Sequence, residues 1–462
     1  MRVNLLDLAP DAVARARRDG ADGAEAYALT FITRNVYIED DVPKVAEERS
    51  ETGLGVRVAK GKRVSFSSTT LAGPEDVASA VSAAVEGLRQ VPDDPDFSGF
   101  PTESAKGEVS GAWDSATASS DIAALHEAAK AFTDAVRESK SMSVPKAIFR
   151  VQDYAFRVVN SNDVTAAHRG TLVFGAVTAK AGSKDKVGEG ISKVLNTSLR
   201  AIDFPALGHN VARRASENLR AKAFKGTRLG VAVLDPMDLG EMFLATVGSA
   251  VNGQEVYQKK SPWAGKVGQD VASIGVTIRD RPRMPRGLAS GVVDDEGNAT
   301  RDRTLIQTGT LQGFVADRKH ASLVGAAAGN GSRRAVATVE GAYTRPAETH
   351  PSNFVVEPGT KTIDALLADV DRGVYVEKFA APEVNPFSGS FAMEVRNATL
   401  IERGELTDHV KVALLTGNFY EGLKNVVGIG REPAASHAFL TTPGCAYVPP
   451  IAFEGFDLVG QT

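Results

Sequence analysis

Cysteine is almost missing: Cys445 is the single one in 462 residues, so no disulfide can form within the chain and a secreted, disulfide-stapled scaffold is excluded. An uninterrupted apolar run of about 18 residues, the length a helix needs to cross a bilayer, is missing as well, and no membrane contact is expected. Excess charge of either sign is absent too. Lysine and arginine number 53 against 57 acidic residues, a formal net charge of −4, which gives no field to draw in a polyanion, so nucleic acid is not an expected partner. The short basic groups, Arg213-Arg214 and the four arginines from Arg279 to Arg286, are broken by prolines or acidic neighbours and are expected to be solvated surface. The segment Met1 to Leu8 turns charged by Arg15, short of a secretory core, so a cytoplasmic location is expected.

What is present is ordinary for a globular protein: 43% hydrophobic and 24% charged residues, in a chain long enough to require at least two cores. Leu5 to Arg18 carries apolar residues at helical spacing and stops at Gly20. Ala24 to Phe31 alternates, and Gly61-Lys62 separates two strand-like runs between Gly53 and Phe66, which predicts a hairpin. Helical periodicity returns at Glu75 to Arg89, Asp121 to Ser139 and Pro205 to Ala223. Val91 to Ser119 fills with Pro, Asp, Ser and Gly and is expected to be a long surface loop, while Lys146 to Val194 is rich in strand formers. After the strand Leu229 to Leu234, Asp235-Pro236 signals a helix start, with a stop at Asn252-Gly253. Short alternating segments follow: 274–278, 304–307, 354–357, 373–377, 392–401 and 410–415, with one helix near 363–370. The fold class expected is α+β: residues 1–225 form helices on a mainly antiparallel sheet, and residues 226–462 a β-rich, barrel-like domain.

Taken alone, the polar residues nominate no active site. The seven histidines are dispersed, and His126-Glu127 lacks the second histidine of a helical zinc motif because Lys130 and Ala131 stand where it would fall. Asp294-Asp295-Glu296 runs into Gly297-Asn298, but Ala299 and Arg301 occupy positions where calcium would want oxygen, so a solvated turn is expected. Gly325 to Gly331 lacks the ending of a phosphate loop. Ser388 and Ser390 have no nucleophile elbow, and Cys445 has no cationic neighbour to make a thiolate.

Five segments in order nevertheless resemble the TldD/PmbA (TldD/TldE, "modulator of DNA gyrase") metallopeptidase family. They are Gly53-Leu54-Gly55-Val56-Arg57-Val58 with Phe66-Ser67-Ser68-Thr69; Ser261-Pro262-Trp263-Ala264-Gly265 with Val271-Ala272-Ser273; Asp294-Asp295-Glu296-Gly297 with Gly309 to Phe314; Asn385-Pro386 with Gly389-Ser390-Phe391; and Val410-Lys411-Val412 with Gly417-Asn418 and Leu423-Lys424-Asn425. Catalytic members carry His-Glu-x-x-x-His on the helix before the Ser-Pro-Trp stretch, aided by a C-terminal cysteine. Counting back from Gly253 and Ser261 places Leu244 and Ser249 at the ligand positions and Ala245 at the acid, with Val247-Gly248 retained. Leucine offers no donor, serine a weak one, and alanine cannot act as a general base.

The resemblance therefore implies a PmbA/TldE-like chain without catalytic or metal-binding residues and without a cofactor of its own, zinc being expected in a TldD-like partner. It further implies an N-terminal α+β domain, a C-terminal β-barrel-like domain and dimerisation, with such a paralogue or with itself. The substrates implied are unfolded or small peptides, as in leader removal from peptide natural products or turnover of an antitoxin. Asn385, Ser388, Gly389, Ser390 and Cys445 are candidate channel or interface residues. The alternatives are a divergent enzyme cleaving an amide in natural-product biosynthesis, and a peptide-binding scaffold without a hydrolytic role.

Overall fold

Side chains alternating across extended backbone build the first sheet. The computed structural model describes residues 5–139, 141–183, 186–228, 230–437 and 442–461. Six strands, β1 (Gly23–Glu39), β2 (Val42–Lys60), β3 (Arg63–Thr70), β4 (Met142–Asn160), β5 (Thr165–Ser183) and β6 (Lys186–Asn196), lie antiparallel in the order β3-β2-β1-β4-β5-β6. The expected hairpin turns at Gly61-Lys62, where Gly61 has a φ of +58°. A second tight turn, at Asp40-Asp41, joins β1 to β2 with both aspartates at positive φ, a conformation aspartate tolerates better than most residues.

Period two in β1 divides its side chains between two different cores. Ala24, Ala26 and Ala28 face helices α1 (Ala9–Arg18) and α2 (Pro74–Gly87), whereas Tyr27, Leu29 and Phe31 face Leu288, Val336, Val339 and Tyr343 from the second half of the chain. After the loop that holds the one-turn helix α3 (Ser115–Ala118), helices α4 (Ile122–Arg137) and α5 (Phe204–Arg220) continue the helical layer over Phe149, Val151, Val173 and Val177. At Gly190 on β6 the backbone of α5 comes so close that a Cβ there would lie 1.9 Å from the Val211 carbonyl oxygen. Only glycine fits such an approach.

The second half is strand-rich. A ten-stranded sheet curls around Val231–Leu234, which lies between Arg372–Phe379 and Ile451–Glu454. A six-stranded sheet contains Arg303–Gln307, Ile278–Asp280, Asn353–Val356 and Cys445–Val448. Helix α6 (Pro236–Phe243) packs against both sheets, and all eight of its residues are buried. Its carboxylates are paired: Lys378 Nζ lies 2.8 Å from both oxygens of Asp238, and Lys193 of β6 meets Glu241. No helix among the described residues is long and apolar enough to cross a membrane.

Four expectations are corrected. The segment 274–278 is a turn, with Ile274 82% exposed, and the strand begins only at Ile278. The segment 410–415 breaks at Val412, which has a φ of +55°, into strands Glu405–Lys411 and Leu414–Asn418 that pair with different stretches of the long strand Ser390–Glu402. Arg214 is not solvated surface but buried beside Glu377.

The fourth correction is the largest. Asp294-Asp295-Glu296 is not a solvated turn; each of the three is at most 6% exposed. Glu296 accepts from Arg57 of β2 at 3.0 Å and from the Arg318 amide at 2.8 Å. Asp295 accepts from the Arg334 guanidinium and the Arg333 amide, both at 2.7 Å, and Arg333 itself reaches Glu25 of β1 at 2.7 Å. Burial pushes the Asp294 and Glu296 carboxyls upward, in Glu296 against the pull of Arg57. Buried charges persist only when paired and hydrogen-bonded, so this network fixes how the second half sits on the first sheet.

A second bond between the halves has a pH signature. Burial would raise the Glu377 carboxyl, but hydrogen bonds from Arg213, together with the charges of Arg213 and Arg214, outweigh it and hold the group below the usual range. A depressed carboxyl stabilises the fold above its unfolded pKa, about 4.3 for glutamate, and the stabilisation is lost as pH falls through the folded value. Glu377→Gln is expected to cost about 2 kcal/mol at neutral pH. Melting curves of the variant and parent should converge as pH drops below about 4, and a gap independent of pH would refute the assignment.

Candidate functional site

The helix that starts with the Asp235 cap was expected to run unbroken to Val251. It changes winding instead: α6 ends at Phe243, and Leu244–Gly248 forms a π turn before helical structure resumes. Residues five apart on an α-helix diverge by about 140°, whereas hydrogen bonding from i to i+5 stacks them. Positions 244 and 249 are five apart, and the π turn puts Leu244, Ala245, Gly248 and Ser249 along one cleft of about 350 Å³. Thr246, Val247 and Ala250 turn inward and are buried. Thus the three positions singled out from the sequence share one surface. The opposite walls are Asn252, Glu255, His350, Pro351, Val384, Pro386, Thr442 and Pro443.

Several polar contacts brace this turn. The Tyr420 hydroxyl lies 3.0 Å from the Thr246 carbonyl and 2.5 Å from that of Pro386, sharing its one proton between them. Burial pushes its pKa up, so it stays a donor. The Trp263 ring stands edge-on to Tyr420, and Ser261 Oγ donates to the Ala250 carbonyl at 2.6 Å, capping the helix end. The Ser261-Pro262-Trp263 stretch is thereby a brace for the helix. Asn252 Nδ2 donates to Thr349 O at 2.7 Å and so holds the next residue, His350, at the cleft wall.

Among the cleft's ionisable groups, His350 Nε2 lies 3.8 Å from Glu348, whose carboxyl is pulled down by the nearby histidine. Glu255, on the short helix Gly253–Tyr257, has a buried Oε2 with no hydrogen-bond partner among the described residues.

Asn385, Ser388, Gly389 and Ser390 form a tight turn beside the cleft rather than in it. Asn385 Oδ1 accepts from the amides of Phe387 at 3.0 Å and Ser388 at 2.9 Å, Ser388 Oγ is 2.8 Å from Ser390 Oγ, and Gly389 has a φ of +75°. Ser388 lines a neighbouring hollow of about 270 Å³ with Trp263, Asn418 and Tyr420. Cys445 is separated from these residues: it is fully buried at the start of Cys445–Val448, pairs in register with Asn353, and burial pushes its thiol up to about 12. Its neighbours Thr442 and Pro443 reach the cleft, but it does not line it.

A catalytic zinc needs about three protein donors and an open position. Leucine and alanine supply none at 244 and 245, the serine hydroxyl at 249 is a weak donor, and Cys445 points elsewhere. No group of three or more His, Cys, Asp or Glu among the described residues could hold a metal ion. The donor set at this turn therefore does not fit zinc. Sequence reasoning singled out Leu244, Ala245 and Ser249 but not the turn that carries them, and it missed Glu255, His350 and Tyr420, because no local spacing ties them to residue 244.

Comparison with known proteins follows the same geography. Residues 229–460 match the profile of the PmbA/TldA metallopeptidase C-terminal domain, and residues 24–87 that of the PmbA/TldA metallopeptidase domain 1. A metalloprotease of Methanothermobacter thermautotrophicus is 30% identical over 50% of this chain and 49% of its own length. A metalloprotease TldD homolog of Haemophilus influenzae is 30% identical over 51% of this chain and 46% of its own. The chain spans about half the length of these two relatives. The crystal structure of TldE from Thermococcus kodakarensis superposes with a TM-score of 0.88 over 98% of this chain and 99% of that one, at 22% identity, which establishes a shared fold.

Proposed function

Because the chain belongs to the PmbA/TldA metallopeptidase family, we propose that it is the zinc-free subunit of a peptide-processing metalloprotease pair, acting in the cytoplasm beside a TldD-like chain that carries the metal. One observation carries this role: the π turn and its braces are present, while the three side chains it presents, Leu244, Ala245 and Ser249, hold neither a ligand set nor a general base. The subunit's task is then to complete the peptide channel and steady its partner. The substrates are unfolded or small peptides that bind extended.

An open strand edge suits such peptides. β3 covers β2 only from Gly53 to Lys60, so residues 42–52 of β2 have a strand partner on one side alone among the described residues, and most are exposed. An added strand would satisfy those amides and carbonyls. The charges along the edge, from Lys44 to Glu51, oppose indiscriminate strand pairing.

The test is reconstitution. The chain is purified alone and together with a paralogue bearing the intact zinc motif, and both bound zinc and cleavage of an unfolded peptide are assayed. Metal and cleavage in the mixture only are the expected outcome. Zinc and cleavage in the lone chain would make it an enzyme in its own right, and cleavage in neither would leave a peptide-binding scaffold.

A further inference from the structure

The cleft over the π turn contains one carboxyl oxygen for which the chain supplies no donor. The Glu255 side chain makes no hydrogen bond or ion pair among the described residues, and its Oε2 is shielded from solvent. Buried polar groups are nearly always hydrogen-bonded, and leaving a carboxylate oxygen without a donor is costly. The other walls are mainly hydrocarbon: Leu244, Pro351, Val384, Pro386 and Pro443. At about 350 Å³ the space lies at the lower end of ligand-sized pockets, which run from about 300 to 1,000 Å³.

We propose that this cleft is a socket for a long aliphatic side chain ending in a cation, a lysine or arginine of the bound peptide. The methylene stem lies along the leucine and proline walls, and the charged head supplies the donor that Glu255 lacks. An anion would meet the carboxylate head-on. A neutral apolar side chain would fill the walls but seal Glu255 away from water unpaired. A metal ion lacks the further donors it needs. The proposal rests on the role assigned above, in which this chain shapes a peptide channel, and it names the residue type the channel selects.

The probes are acetylated, amidated tripeptides with lysine, arginine, norleucine or glutamate between two alanines, titrated calorimetrically into the full chain. Lysine or arginine should bind at least about tenfold tighter than norleucine, which is about 1.4 kcal/mol, and glutamate should not bind. Glu255→Gln, nearly identical in shape, should abolish the preference while leaving the melting temperature intact. Ala245→Trp, which fills the cleft, should abolish binding of all four. Equal binding of lysine and norleucine, a preference that survives Glu255→Gln, or no binding to the folded parent would each overturn the proposal. Reconstitution fails independently. Cleavage in the mixture without any cationic preference removes only the socket, whereas lysine binding without zinc or cleavage in the mixture removes the subunit role.

Discussion

Arg333→Ala is expected to destabilise the fold by about 3–5 kcal/mol, the usual consequence of leaving one partner of a buried ion pair alone. Arg333 is 1% exposed and 2.7 Å from Glu25, which is 1% exposed as well. Its guanidinium also lies over the Tyr27 ring at 4.7 Å and donates to the Arg345 carbonyl at 2.9 Å. Truncation removes all three contacts and leaves a cavity. Glu25 would keep Arg57 at 2.8 Å, so the lower half of that range applies if Arg57 shifts its charge toward Glu25. In a cooperative unit of 462 residues each kcal/mol lowers the melting temperature by only about 1 °C, at about 2.1 cal/mol/K of unfolding entropy per residue, so a drop of roughly 3–5 °C is expected. Adding Glu25→Gln to Arg333→Met should recover much of it, because neither charge of the pair is then left alone and Arg57 keeps Glu296 at 3.0 Å. A loss below about 1 kcal/mol for Arg333→Ala would mean that the network contributes no more than a surface pair and does not hold the halves together.

Local chemistry was readable wherever it decides structure by itself. The Gly61-Lys62 hairpin, the helix beginning at Asp235-Pro236 and the strands near 304, 354, 373 and 392 all depend on turn residues and short-range alternation. Failures came where a distant partner decides. Asp294-Asp295-Glu296 has the composition of a solvated turn, and only Arg57, 239 residues from Glu296, and the pair Arg333-Arg334 make burial affordable. The break at Val412 falls where pairing passes from one end of Ser390–Glu402 to the other, which no spacing within 405–418 records. At the candidate site, Leu244, Ala245 and Ser249 were singled out only through the family resemblance, by counting back from Gly253 and Ser261. The π turn that aligns them depends on Tyr420 and the Ser261 brace, and Glu255 and His350 join the cleft only through tertiary folding.

Restoring donors tests the proposal that the π turn is the scaffold of a lost zinc site. Leu244→His together with Ser249→His is expected to make the chain retain about one zinc after desalting, where the parent retains little. Two imidazoles stacked by i to i+5 winding project into the same cleft, and Zn–N distances of about 2.0–2.1 Å require that convergence. On a regular α-helix the same two positions would diverge by about 140° and could not share an ion. Glu255, which lines the cleft with an unpartnered oxygen, is the third candidate donor, so adding Glu255→Gln should weaken retention. Release should follow histidine protonation, near pH 6.5 or somewhat below, because the metal competes with the proton. Zinc content by atomic emission against protein concentration reads the outcome, with circular dichroism to show that the variants fold. Comparable zinc in the parent would show that Leu244 and Ser249 do not mark a lost site, and a folded double variant without zinc would show that the π turn does not converge its side chains on one ion.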